Sequence, residues 1–305
     1  SVWCRAHQAD LAAAADCGVS AVHVSLPVSP LHLRALDRSR AWLEEQIARV
    51  IPAAQAQFGF VSVGLQDASR TPTTQLAALI EQLAGLGVQR IRLADTVGCW
   101  LPQTVQRLFG ALAQRHPQQH FGVHTHTDLG LATANALIAL QAGAHSADVT
   151  VLGLGERAGN AALEALAMVG AVGLKRPLVA DETRLAALAE LVASATGRAI
   201  PAQQPVVGGN CFRHESGIHV AAQRRDARCY QAFAPAACGR DGAEEHVLGS
   251  HAGTAGLLAA AAACGRALDR DQAQALLPQL RRQVLAQGRA LGAGELTRLI
   301  DQGGS

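Results

Sequence analysis

The densest chemistry in the chain sits at the end of an apolar run, in His124-Thr125-His126-Thr127-Asp128. In an extended strand, residues i and i+2 project to the same side. His124 and His126 therefore point together, as two ligands of one metal ion must. Neutral imidazole nitrogens suit Zn, Mn, Fe or Co, and further oxygen ligands move the preference towards Mn or Mg. The plainer alternative is a polar strand end whose histidines cap the next helix and bond to backbone. The segment Gly153 to Asn160 (GLGERAGN) follows on the next strand. A Gly-rich turn running into a helix presents N–H groups and positive dipole density to a carboxylate or phosphate. Read structurally, Glu156 and Arg157 pair with each other and Asn160 is the N-cap of the following helix. Asp95 and Thr96 in ADTVG form a third polar strand end, and HESGIH (214–219) adds two imidazoles and a carboxylate. For the last, the alternative is a helix surface with its histidines in solvent.

The elements that must carry these residues alternate in period. Short β-like runs occur at Val2–Arg5, Ala21–Leu26, Phe60–Leu65, Arg90–Ala94, Phe121–Thr125 and Asp148–Leu152. Helical spacing of apolar residues fills Thr73–Leu86, Leu101–Arg115 and Leu131–Ala142 between them. Gly18, Gly87 and Gly143 end helices just before strands, where a positive φ is needed. Strand and helix at roughly thirty-residue spacing mean βα units and a parallel sheet. The runs turn polar at their C-terminal ends, where such sheets place their chemistry. Six strands leave a barrel and a doubly wound sheet both open.

Past residue 175 the pattern changes. The expected division is a barrel-type domain over 1–175, a linker helix and first subdomain over 176–235, and a second helical subdomain over 236–305. Glu182–Thr196 reads as a helix with Asp181 as its N-cap. Residues 268–305 read as two amphipathic helices, too short for an added regulatory domain.

Composition narrows the class. With 305 residues and 49% of them apolar, the chain can bury a large core. A net charge of +2 lacks the basic excess that nucleic acid or an anionic membrane would require. The apolar run Ala252–Gly265 is too short to cross a bilayer. The first residues, SVWCRAHQAD, lack a charged leader followed by an apolar stretch, so no signal peptide is expected in them. Seven cysteines without a CxxC pair read as free thiols in a reducing, cytoplasmic compartment.

Taken together, HTHTDLGLATANALIALQAGA, TVLGLGERAGNAALEAL, DTVG, VVGGNCFRHESGIHV and GSHAGT resemble, in order and spacing, the acyl-CoA-condensing family of homocitrate, 2-isopropylmalate and citramalate synthases. Within it, VSLPVSPLHLRAL, QDASRTP and Val220 after HESGIH are most similar to the nitrogenase-associated homocitrate synthases. The resemblance implies a (β/α)8 barrel of the TIM type with a divalent metal (Mg²⁺ or Mn²⁺, Zn²⁺ as a third candidate) at its C-terminal mouth, followed by small helical subdomains. It implies His124, His126 and Asn160 as metal ligands. Thr96 would contact the distal part of a 2-oxo acid, with Glu156 and Arg157 also at the substrate. His219 and Tyr230 would be catalytic groups from the subdomain after the barrel, in an interlocked homodimer. The implied reaction condenses acetyl-CoA with 2-oxoglutarate to homocitrate and CoA. The same chemistry on 2-oxoisovalerate or pyruvate is the nearest alternative.

The departures from the family pattern carry their own expectations. SVWCRA aligns with the family's third strand, so its first two βα units, with the carboxylate ligand and an arginine, are expected to be missing and the chain to be a piece of a longer one. Gln66 stands where relatives carry a catalytic Glu, and an amide cannot serve as a base. Thr127, Leu152 and Ser250 also replace family residues, and Leu152 forfeits the hydrogen bonds of a strand-end Asn. A non-catalytic relative is the reading these changes favour.

Overall fold

A computed structural model describes residues 1–242 and 245–303. Its contacts divide the chain into two units, Ser1–Leu166 and Ala167–Ser305.

The first unit holds six parallel strands, β1 (Val2–Arg5), β2 (Ala21–Pro27), β3 (Phe60–Gln66), β4 (Arg90–Asp95), β5 (His120–Thr125) and β6 (Ser146–Asp148). They are hydrogen-bonded in the order β1-β2-β3-β4-β5-β6. That sequential order is the winding of a barrel, because a doubly wound sheet reverses direction at a switch point. The helices between them are α1 (Gln8–Asp16), α2 (Pro30–Ala35), α3 (Arg40–Gln57), α4 (Thr73–Gly85), α5 (Pro102–Arg115) and α6 (Ala132–Gln141), with α7 (Leu163–Met168) after β6. Local chemistry starts them: Ser39 accepts the Trp42 N–H to cap α3, and Pro102 opens α5, where its missing donor costs nothing. Gly143 closes α6 at φ 114°, and a Cβ there would lie 2.5 Å from the Cβ of Ala113.

The period-2 pattern sorts the strand residues onto two faces. Val22, Val24, Leu26, Val61, Val63, Leu65, Ile91, Leu93, Phe121 and Val123 are 1% exposed or less. They share one core with Leu43, Ile47 and Ile51 of α3, Leu79 and Ile80 of α4, and Val105 and Phe109 of α5. Each such side chain contributes about 1.5–3 kcal/mol by leaving water. The opposite, inward face runs in rows across the strands. Trp3, His23, Ser62, Arg90 and His120 form one row, and Arg5, Ser25, Gly64, Arg92, Gly122 and Ser146 the next. The last row contains Pro27 beside Gln66, and Ala94, His124 and Asp148 side by side.

The sixth strand departs from expectation. It covers Ser146–Asp148, and Val151–Gly153 form a 3₁₀ turn with Leu152 at φ 60°. Backbone bonding to the next segment wins there: the Thr150 N–H donates to the Ala161 carbonyl (3.0 Å), and the Leu163 N–H to the Thr150 carbonyl (2.9 Å).

The second unit carries α8 (Leu185–Thr196), β7 (Arg213–His214), α9 (Gly217–Gln223), β8 (Glu245–His246), α10 (Thr254–Ala263), α11 (Arg270–Gln287) and α12 (Ala293–Gly303). Glu182–Arg184 is a 3₁₀ turn leading into α8, and the Asp181 side chain accepts the Thr183 N–H as anticipated. Asp269 and Gln272 form a reciprocal capping box on α11. Leu257, Leu276, Leu280, Val284 and Leu299 make the core of the last three helices.

Candidate active site

The two histidines of the HTHTD segment leave the sheet differently. His124 is the inward residue one place before the end of β5, level with Asp148 on β6. Its Nδ1 lies 3.2 Å from Asp148 Oδ2, an oxygen that also receives the Arg92 guanidinium in a close ion pair. His126 lies beyond the strand and is paired with Asn160 by an isolated antiparallel bridge. The Thr127 N–H donates to Gly159 (2.9 Å) and the Asn160 N–H to Gly153 (2.9 Å), so the GERAGN loop is fastened to the end of β5. A Cβ on Gly159, at φ 103°, would meet the Gly153 carbonyl oxygen at 2.1 Å, which leaves only glycine there.

This fastening sets Asn160 beside His126 in the backbone, and two donor nitrogens face each other. Nε2 of His124 and Nε2 of His126 are 3.2 Å apart. Two imidazole nitrogens about 2.1 Å from one ion, roughly at right angles, would be about 3 Å apart. The Asn160 Nδ2 donates to the Leu154 carbonyl at 3.0 Å, while its Oδ1 is buried without a partner. The two imidazoles thus have the separation of two ligands on one divalent cation, and Asn160, bridged to His126, carries a neutral oxygen that could serve as a third. Among the described residues, no three His, Cys, Asp or Glu side chains are grouped so as to hold a metal ion by themselves. The Asp148 carboxylate meets this cluster at His124 Nδ1. Burial, helped by the neighbouring His124 and Arg157, lowers the His126 pKa and favours its neutral, ligating form. Burial pushes the Asp148 carboxyl up, but the His124 hydrogen bond and the Arg92 charge outweigh it and leave it below the usual range.

Asn160 is not the expected N-cap: α7 begins at Leu163, and the Asn160 amide turns back to its own loop. Arg157 does not pair chiefly with Glu156. It grips Asp128 with two bonds of 2.7 and 3.0 Å and donates to the Thr96 carbonyl at 2.7 Å. Glu156 is 3.7 Å away with its side chain 85% exposed. The Thr96 hydroxyl accepts the Asp67 N–H at 2.8 Å and keeps its own proton to donate. Asp67 is fully buried at φ 60°, receiving Ser29 Oγ and Arg70 Nε. Gln66, its neighbour, is half-buried and lines a cavity of about 530 Å³ with Trp3, Arg5, Ser25 and Trp42.

In the second unit, His219 and Tyr230 stack with centroids 3.9 Å apart. Glu215 accepts the His251 N–H at 2.8 Å, and Gly249 leaves it room, since a Cβ there would fall 2.2 Å from its carboxyl carbon.

Sequence reasoning passed over Arg92 and Asp148. The signal was present in β4, where Arg90 and Arg92 alternate with Ile91 and Leu93, placing two cations on one face of a buried strand. It also passed over Asp67, two of whose partners, Ser29 and Thr96, come from distant segments.

Comparison with known proteins fits this geometry. Residues 1–192 match the HMGL-like family, and residues 206–287 match the homocitrate synthase post-HMGL domain-like family. A homocitrate synthase of Frankia alni is 43% identical over 83% of this chain and 72% of its own length. A 2-isopropylmalate synthase of Caldanaerobacter subterraneus is 37% identical over 98% of this chain and 77% of its own. The hydroxymethylglutaryl-CoA lyase of Pseudomonas aeruginosa superposes with a TM-score of 0.58 at 24% identity, covering 65% of this chain and 70% of that one, which shows the shared barrel fold. With an HMGL-like barrel segment, the post-barrel segment of homocitrate synthases and relatives of this identity, the chain belongs to the 2-isopropylmalate synthase/homocitrate synthase family.

Proposed function

We propose that the chain condenses acetyl-CoA with a 2-oxo acid, and that 2-oxoglutarate is the acid, giving homocitrate and free CoA. The observation that supports this best is the facing pair of imidazole nitrogens, 3.2 Å apart, with His126 bridged to Asn160, whose buried oxygen has no partner. His124, His126 and Asn160 would hold the divalent cation. A bound cation supplies Lewis-acid polarisation of the keto group. Arg157, spent on Asp128 and the Thr96 carbonyl, acts as the clasp of the GERAGN loop; Thr96 keeps a free O–H to donate to the acid. The acetyl methyl group must lose a proton before its carbon can attack the keto carbon, and a positioned base has to take it. Gln66 cannot be that base. The family resemblance gives this part of the reaction to His219 and Tyr230.

The test is release of CoA thiol with Mn²⁺ or Mg²⁺ over a panel of 2-oxo acids. Release with 2-oxoglutarate well above the branched acids and pyruvate supports the reading, and preference for a branched acid assigns the chain to the 2-isopropylmalate side. The Gln66 amide favours a second reading, a relative without turnover. Gln66→Glu separates the two: a silent chain that gains release in the variant lacks only its carboxylate.

A further inference from the structure

The inward face of the sheet adds two residues to the site; the inference rests on the functional reading above. Arg92 lies level with Gly64 on β3 and Gly122 on β5. A Cβ at Gly122 would sit 3.4 Å from Arg92 Cγ, and one at Gly64 3.5 Å from an Arg92 terminal nitrogen. The two glycines therefore flank a lane in which a long side chain can lie along the sheet. Its guanidinium ends on Asp148 Oδ2, the same oxygen that faces His124 Nδ1 at 3.2 Å.

We propose that Arg92 and Asp148 are positioning residues that fix the tautomer of His124. An ionised carboxylate only accepts hydrogen bonds, so a neutral His124 facing Asp148 carries its proton on Nδ1. Its Nε2 lone pair is then committed to the side where His126 Nε2 stands, as a metal-binding imidazole requires. Arg92 holds the accepting oxygen in place and compensates the charge of a half-buried carboxylate.

Two readouts on the full chain test this. The first is the ¹⁵N ring spectrum of the metal-free protein above the titration range of histidine, with the His124 signals identified by their loss in His124→Gln. The second is the affinity for Mn²⁺ alone, by calorimetry. The wild type is expected to show the Nδ1–H form of His124. Asp148→Ala is expected to shift it towards Nε2–H and to weaken Mn²⁺ binding by about 10–100-fold. Asp148→Asn retains an acceptor oxygen and should restore the tautomer. A wild-type His124 protonated on Nε2 overturns the proposal even if Asp148→Ala fails to fold, as does an unchanged tautomer in a folded Asp148→Ala. A wild type that binds no Mn²⁺ yet shows the tautomer shift defeats the metal reading and leaves the positioning role standing.

Discussion

The two faces of the barrel sheet are built from the same strands and do opposite work. Outward, the sheet is almost wholly aliphatic and aromatic, with Val24, Leu65, Ile91 and Phe121 sealed against α3, α4 and α5. Inward, the same strands present His23, Ser62, Arg92, His124 and Asp148, with glycines where neighbours need room. Barrel interiors are more often filled with branched aliphatics. Here stability rests on the helix-facing layer, and the inner layer is freed for charge and hydrogen bonding. The cost is orphaned polar atoms, such as His23 Nε2 and Arg92 Nε.

The sharpest break in this contrast is a truncation on the outer face. Phe121→Ala empties a fully buried site and should cost about 3–5 kcal/mol, read as a lowered urea midpoint. If the loss stays below about 1 kcal/mol, the helix-facing layer is not the main source of stability.

A smaller effect comes from the inner face and depends on pH. Burial, then the charges of Arg92 and Arg90, lowers the His23 pKa from 6.5 to about 3. The folded state keeps this imidazole neutral, whereas the unfolded chain takes a proton below 6.5. The stabilisation is therefore complete above pH 6.5 and falls away as the pH drops towards 3. Urea midpoints should decline from pH 6.5 to about 5.5, above the range in which most carboxylates titrate. His23→Gln should reduce that decline, leaving the part due to other histidines with lowered pKa such as His126, and an unchanged slope would place its origin elsewhere.

The smallest expected change lies in the loop that the inner face supports. Leu152 sits at φ 60°, a region that Asn tolerates better than a larger side chain. Leu152→Asn should raise stability by about 0.5–1 kcal/mol, visible as a higher melting temperature. A fall would mean that the packing of the leucine outweighs its backbone strain.

Much of this arrangement was legible in the sequence. Alternation marked β2 to β5 within one or two residues, and glycines marked helix ends because a positive φ has few other solutions. The i, i+2 spacing was enough to put His124 and His126 on one side. Asn160 was harder. Before a helix it reads as a cap, and only the bridge to His126 shows it folded back beside that residue. Leu152 was read as strand because its neighbours are apolar, yet backbone bonds to Ala161 and Leu163 bend the chain there.

By itself, then, the sequence determined the parallel βα winding, the buried face of each strand and the pairing of the two histidines, because these follow from periodicity and from bonds between near neighbours. Only the tertiary structure decided that Asp148 stands behind His124, that Arg92 stands behind Asp148, and that Arg157 clasps Asp128. Those contacts depend on the register between strands and on loops that bring together residues 24 to 56 positions apart. No local propensity encodes such a separation.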